Sequence, residues 1–258
     1  MIQKFEIQNT LTDNTVDLII KSWKNNLTKI IHLSSNLQKK NIKKFYENLG
    51  NKIGEFKMYA EDVKLGDRDN QKSEKIWMDV RYDSNVTEAY RHSSEPQPLH
   101  TDGSYIPKFP NASIMCCISN TAEHGETIFL HVEKLVKILK AEKPKLLDFL
   151  LNNEIIHERS GYINKKKILY KENENYKVNF NFYCVSKKNS TEYLKAVEEF
   201  FNFLNNSELI KKEILQVKLA PGEAVFWKDN ELLHGRNGFF PKKNSERFLW
   251  KAAIQIGK

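Results

Sequence analysis

The stretch Ala112 to Asn120, "ASIMCCISN", sets apolar or small side chains at successive positions with no charge among them. Its length suits a strand better than a helix. Side chains alternate between the two faces of a strand, so a run that is apolar throughout must be covered on both sides. Such a strand belongs inside a layered molecule, and the flanking sequence offers the layers. "GETIFLH", "EILQVKLAPGEAVFW" with its Pro-Gly turn, and "RFLWKAAIQI" read as further strands.

Helical spacing appears between these strands. "VDLIIKSWKNNL", with Asn14 or Thr15 as its cap, predicts an opening helix. "KIIHLSS" from Lys29 to Ser35 follows as a short strand, and Ile42, Phe45, Tyr46 and Leu49 predict a second helix that ends at Gly50. "DVRYDSN" and "EAYRHSS" read as strands or strand edges. The apolar positions from Glu133 to Leu151 predict helix, restarted at Pro144. "GYINKKKILYKENENYKVNFNFY" reads as one hairpin around a polar turn, and Thr191 to Leu204 as an amphipathic helix. No repeat or Gly/Pro/Ser linker divides the 258 residues, so 1–258 is expected to form one mixed, β-rich domain. A closed or sandwiched β core with peripheral helices leaves no long exposed strand edge.

The chain carries 41 Lys and Arg against 33 Asp and Glu, a net charge of +8. Its lysines are scattered among glutamates and asparagines, as in "NIKKFYENLGNKIG", and they form no basic stripe interleaved with aromatics. That pattern argues against a nucleic-acid partner and leaves an acidic small molecule compatible. Cys116, Cys117 and Cys184 form no CxxC and read as buried thiols of a reducing compartment. The polar start "MIQKFEIQNTLTDN" and the absence of 18 consecutive apolar residues predict neither signal peptide nor membrane span. A cytoplasmic location is expected.

Three His-x-acid pairs occur: His100/Asp102, His124/Glu126 and His131/Glu133. With 7 histidines and 33 acidic residues, chance alone supplies such pairs, so context has to separate them. Residues two apart on a strand share a face, and Pro98 before His100 with Gly103 after Asp102 frames an extended segment that then turns away. Glu133 instead reads as a first-turn acid at a helix start. His124 and Glu126 lie in a polar turn. His234 in "FWKDNELLHGRNGF" offers a third ligand. Two imidazoles and a carboxylate on one face of an octahedron suit non-haem Fe(II) and leave three positions open. On the residues alone, satisfied structural histidines remain the competing account.

In order, "HTDGSY", "HGETIF", "LLHGR" and "SERFLWKAA" resemble the motifs of the Fe(II)- and 2-oxoglutarate-dependent dioxygenases of the taurine dioxygenase, gamma-butyrobetaine hydroxylase and clavaminate synthase-like superfamily (TauD/TfdA). The resemblance covers most of the chain and is weakest from Lys140 to Lys212. It implies a double-stranded β-helix, or jelly roll, flanked by helices. It implies Fe(II) held by His100, Asp102 and His234, with Thr127 and Arg247 binding 2-oxoglutarate, and O2 as the other cosubstrate. His124 stands where the family's turn before the threonine has a glycine. The implied reaction yields succinate and CO2 and hydroxylates an unactivated C–H bond. Asp102 separates the chain from the halogenating branch, while desaturation or cyclisation by the same iron chemistry stays open.

Tyr105, Arg236, Lys251, Arg91 and Ser93 are the expected neighbours of a small, carboxylate-bearing substrate, Arg236 being equally readable as a structural ion pair. A zinc hydrolase would share the three ligands, but it needs a general base and no anion-binding arginine.

Overall fold

A computed structural model describes residues 2–7, 11–25, 28–57, 76–86 and 90–256. The apolar strand Ala112–Asn120 lies deep in a seven-stranded sheet, hydrogen-bonded on one side to Ala224–Lys228 and on the other to Arg247–Ile256, both antiparallel. Both of its faces are covered, and alternate residues show how. Ala112, Ile114, Cys116 and Ile118 join a cluster with Ile19 and Trp23 of helix Asp13–Lys24 and Ile42, Phe45, Tyr46 and Leu49 of helix Lys39–Ile53. Met115 and Cys117 point the other way, into a cluster with Phe129, Val217 and Leu232 from a second, four-stranded sheet.

That second sheet runs in the order Leu215–Val217, Thr127–His131, Leu232–Arg236, Gln97–His100. Its outer face, with Leu99, Leu130 and Leu233, is covered by helices Val132–Glu142, Pro144–Asn152 and Thr191–Asn206. Helices, large sheet, small sheet and helices thus stack in four layers, the jelly-roll arrangement of a β-rich chain. Full burial of each large apolar side chain here contributes roughly 1.5–3 kcal/mol. Among the described residues no helix is long and apolar enough to cross a membrane.

Several sequence expectations need correction. The opening helix is capped by Thr12, whose hydroxyl accepts from Thr15 N, rather than by Asn14 or Thr15. The second helix runs through Gly50 to Ile53; this glycine serves packing, since a Cβ there would lie 2.1 Å from the Phe56 ring. "DVRYDSN" contributes to the strand Met78–Arg81, but the described part of "EAYRHSS" is turn, and Thr87 to Ala89 lie outside the described residues. The single hairpin is two: Glu154–Arg159 pairs with Tyr162–Lys167, and Leu169–Glu172 with Asn175–Val178. Positive φ at Ser160 and Gly161, and again at Asn173 and Glu174, makes both turns. The two strands on either side of Pro221 and Gly222 form as expected and belong to different sheets.

Candidate active site

His100 is the last residue of the strand Gln97–His100, and His234 lies directly opposite it on Leu232–Arg236. The two rings sit 4.3 Å apart, centroid to centroid. Gly235 permits this approach, because a Cβ at that position would come within 2.5 Å of Gln97 O. The chain leaves the extended conformation sooner than the spacing implied: Asp102 is already in the turn, with Gly103 at φ +55°. The turn brings the carboxylate back to the rings. Asp102 Oδ1 lies 3.8 Å from His100 Nε2 and 3.6 Å from His234 Nε2. Among the described residues these three form a group able to hold a metal ion, with ligand atoms within 4.8 Å of one another.

The surroundings prepare the three atoms for a cation. His100 Nδ1 lies 2.9 Å from Pro98 O; donation from that nitrogen leaves Nε2 with its lone pair facing inward. Burial, with the neighbouring His234 ring, pushes the His100 imidazole down to about 3, so it stays neutral. For Asp102, burial acts upward, but Lys251, with His234, holds its carboxyl well below the usual range. Lys251 Nζ is 2.5 Å from Asp102 Oδ2 and 3.2 Å from His234 Nε2. Oδ2 also accepts from Ser113 Oγ at 3.2 Å, which leaves Oδ1 as the oxygen turned to both rings. Two imidazoles and one ionised carboxylate, converging beside a cavity, suit a divalent ion such as Fe(II).

The cavity measures about 310 Å³. His100, Asp102 and His234 line it together with Thr127, Arg247, Lys251, Arg91 and Tyr105. Arg247, Leu249 and Lys251 point inward from alternate positions of one strand, as the spacing of Arg247 and Lys251 implied. Arg247 Nε donates to Gly125 O at 3.0 Å and its guanidinium lies over Phe239. Burial, aided by Arg236, pushes Arg247 down to about 9, so the cation persists at neutral pH, with no ion pair among the described residues. Thr127 is buried at the start of its strand, and His124 before it takes φ +62°, a conformation glycine adopts more readily.

Arg236 spends its terminal nitrogens on the carbonyls of Tyr90, Ser93 and Glu95, fastening that segment to the small sheet. Ser93 is not among the cavity-lining residues. His131 and Glu133 sit at a strand end and in a first helical turn, where Glu133 accepts from Tyr176 N, and His124 is exposed. The sequence reading missed Gln97, whose amide lies 3.3 Å from His100 Nε2, and the buried pair Ser113 and Asp229. A hydroxyl inside the otherwise apolar "ASIMCCISN" and an acid five residues before His234 were their signals.

Residues 31–253 match the family model described as "Taurine catabolism dioxygenase TauD, TfdA family". The chain belongs to this family. Among solved structures, an asparagine oxygenase in complex with Fe(II), 2S,3S-3-hydroxyasparagine and succinate is similar, at TM-score 0.71 and 12% identity over 95% of this chain and 80% of that one. The non-heme iron oxygenase OrfP, in complex with Fe and alpha-ketoglutaric acid, is similar at TM-score 0.68 and 12% identity, over 96% of this chain and 81% of the other. A further OrfP complex holds Fe, succinate and (3S)-hydroxy-L-Arg, at TM-score 0.69 and 11% identity over 95% and 82%. These likenesses are of fold; the TauD/TfdA assignment rests on the match spanning most of the chain.

Proposed function

We propose that this TauD/TfdA dioxygenase acts as one catalytic domain that couples the decarboxylation of 2-oxoglutarate to succinate and CO2 with hydroxylation of a small, carboxylate-bearing, amino-acid-like substrate. The observation that carries the reading is the convergence of Asp102 Oδ1 with the two imidazoles at a cavity that Thr127 and Arg247 also line. Fe(II), held by His100, Asp102 and His234, supplies the redox chemistry that joins dioxygen to the oxidation of 2-oxoglutarate.

The chain's own residues supply binding and exclusion. Arg247, buried and cationic, offers a planar fork to the distal carboxylate of 2-oxoglutarate, and Thr127 offers a hydroxyl to the same molecule. Gly125 O holds the Arg247 side chain at Nε and leaves its terminal nitrogens for that carboxylate. Burial suppresses the charged form of His100, so its Nε2 lone pair stays available to the metal without competition from a proton. Tyr105 and Arg91 line the wall available to the substrate, and the buried side chain of Met115 also lines the cavity and helps exclude water. The amino-acid scale of the substrate is supported by the hydroxy-amino acids held by the similar oxygenases.

Anaerobic addition of Fe(II) and 2-oxoglutarate tests the assignment through the weak visible charge-transfer band of the chelate. The band is expected with the native chain and absent in Asp102→Ala and His234→Ala. An undiminished band in both variants overturns the ligand set. Succinate release across a panel of amino acids and small carboxylic acids then reports the substrate; no stimulation by any of them overturns the substrate class.

A further inference from the structure

Behind the three proposed ligands runs a buried line of polar groups that their coordination does not use. Asp229 sits in the tight turn Asp229–Glu231 that carries the chain from the large sheet to the small one, between strands Ala224–Lys228 and Leu232–Arg236. Its side chain is almost wholly enclosed. Oδ1 accepts from Trp227 Nε1 at 3.0 Å, and Oδ2 accepts from Ser113 Oγ at 3.2 Å. The same Ser113 hydroxyl lies 3.2 Å from Asp102 Oδ2. One hydroxyl has a single proton to share between two carboxylates, so their positions depend on one another.

The line ends on the distal histidine. His234 Nδ1 is buried and makes no hydrogen bond among the described residues, although Asp229 Oδ1 stands 3.5 Å away. A buried N–H without an acceptor is costly, and a shorter approach to Asp229 relieves it. A proton on Nδ1 also leaves Nε2 as the lone-pair nitrogen, the one turned towards Asp102.

We propose that Asp229 and Ser113 act as one relay of positioning residues: Asp229 holds His234 in the tautomer and orientation that ligate through Nε2, and Ser113 ties that carboxylate to Asp102 so that Asp102 presents a single oxygen. The proposal rests on the metal reading of His100, Asp102 and His234. It assigns work to two side chains that touch neither substrate nor metal. Ser113 stands opposite Trp227 in the register of the large sheet, so strand pairing itself aligns the relay.

The test is anaerobic titration of the metal-free protein with Co(II), following the visible ligand-field bands, alongside the melting temperature of each metal-free variant. Asp229→Leu is expected to weaken Co(II) binding roughly 10- to 100-fold. Asp229→Asn keeps an acceptor for Trp227 and His234 and is expected to recover most of that loss. Ser113→Ala, a small change in a packed strand, is expected to weaken binding several-fold and to alter the band pattern as Asp102 loses its donor. A merely structural role would lower the melting temperature and leave affinity and bands alone, and that result overturns the relay. Should Asp229→Leu fail to fold, unchanged affinity and bands in Ser113→Ala overturn it equally. His100→Ala separates the two readings: wild-type binding that survives this change refutes the metal site itself, whereas binding lost there but unmoved in the relay variants refutes the relay alone.

Discussion

Arg247→Met separates the cost of holding a buried cation from its use. Burial lowers Arg247 from 12.5 to about 9. At about 1.4 kcal/mol per pKa unit, the folded chain gives up roughly 5 kcal/mol to keep that charge inside with no ion pair among the described residues. Methionine fills similar space without charge, and its losses are the donor to Gly125 O and the guanidinium over Phe239, each worth about 1 kcal/mol. The ligand-free variant is therefore expected to melt no lower than the native chain. Binding of 2-oxoglutarate should move the other way. Losing a buried charge-assisted partner costs about 3 kcal/mol or more, a weakening of over a hundredfold. Thermal melts with Mn(II) and increasing 2-oxoglutarate read both effects, because a ligand that binds only the folded state raises the melting temperature with the logarithm of its concentration. A variant that melts far lower without ligand, or that keeps the native 2-oxoglutarate midpoint, refutes the reasoning.

Gly235→Ala places a Cβ within 2.5 Å of Gln97 O and must push apart the strands that bring His100 and His234 together; Co(II) affinity is expected to fall at least tenfold, with the other face of the small sheet unchanged by circular dichroism. His157 is fully buried and burial lowers it to about 4, below its unfolded value of 6.5. The unfolded chain then binds the extra proton as pH falls through that window, so stability present above pH 6.5 is lost towards pH 4 at about 1.4 kcal/mol per unit. His157→Leu should remove one proton's worth of that slope in denaturant melts between these pH values; an unchanged slope counts against it. Glu231 accepts from both Lys29 and Lys177 in a half-closed cluster, and Glu231→Ala is expected to cost about 3 kcal/mol in urea unfolding, since it leaves the lysines facing each other. A loss under about 1 kcal/mol would show the cluster to be solvated.

Local residue chemistry carried much of the fold into view. "ASIMCCISN" announced a strand covered on both faces because period-two alternation leaves no other way to bury every position. Pro144 announced a helix restart through its missing N–H, and the chain obeys at Lys143. Pairing was less legible. The stretch from Gly161 to Tyr183 looked like one hairpin because the partner of its first arm, Glu154–Arg159, lies upstream of it. Gly50 looked like a helix stop because the Phe56 ring that demands its smallness arrives from the following strand.

The sequence by itself determined which atoms are available for chemistry. His100, Asp102 and His234 were candidates from residue type and spacing, Thr127 and Arg247 from the resemblance to the dioxygenase motifs, and each lines the cavity. Tertiary structure alone decided how those atoms are used. His100 and His234, 134 positions apart in the chain, meet because a glycine lets two strands close. Lys251 turned from an expected substrate contact into a partner of Asp102, Arg236 became a clasp on three carbonyls, and Ser113 and Asp229 joined behind the ligands. Spacing along a chain constrains neighbours a few residues apart; charges and hydrogen bonds act through distance, and only the packing of the two sheets sets those distances.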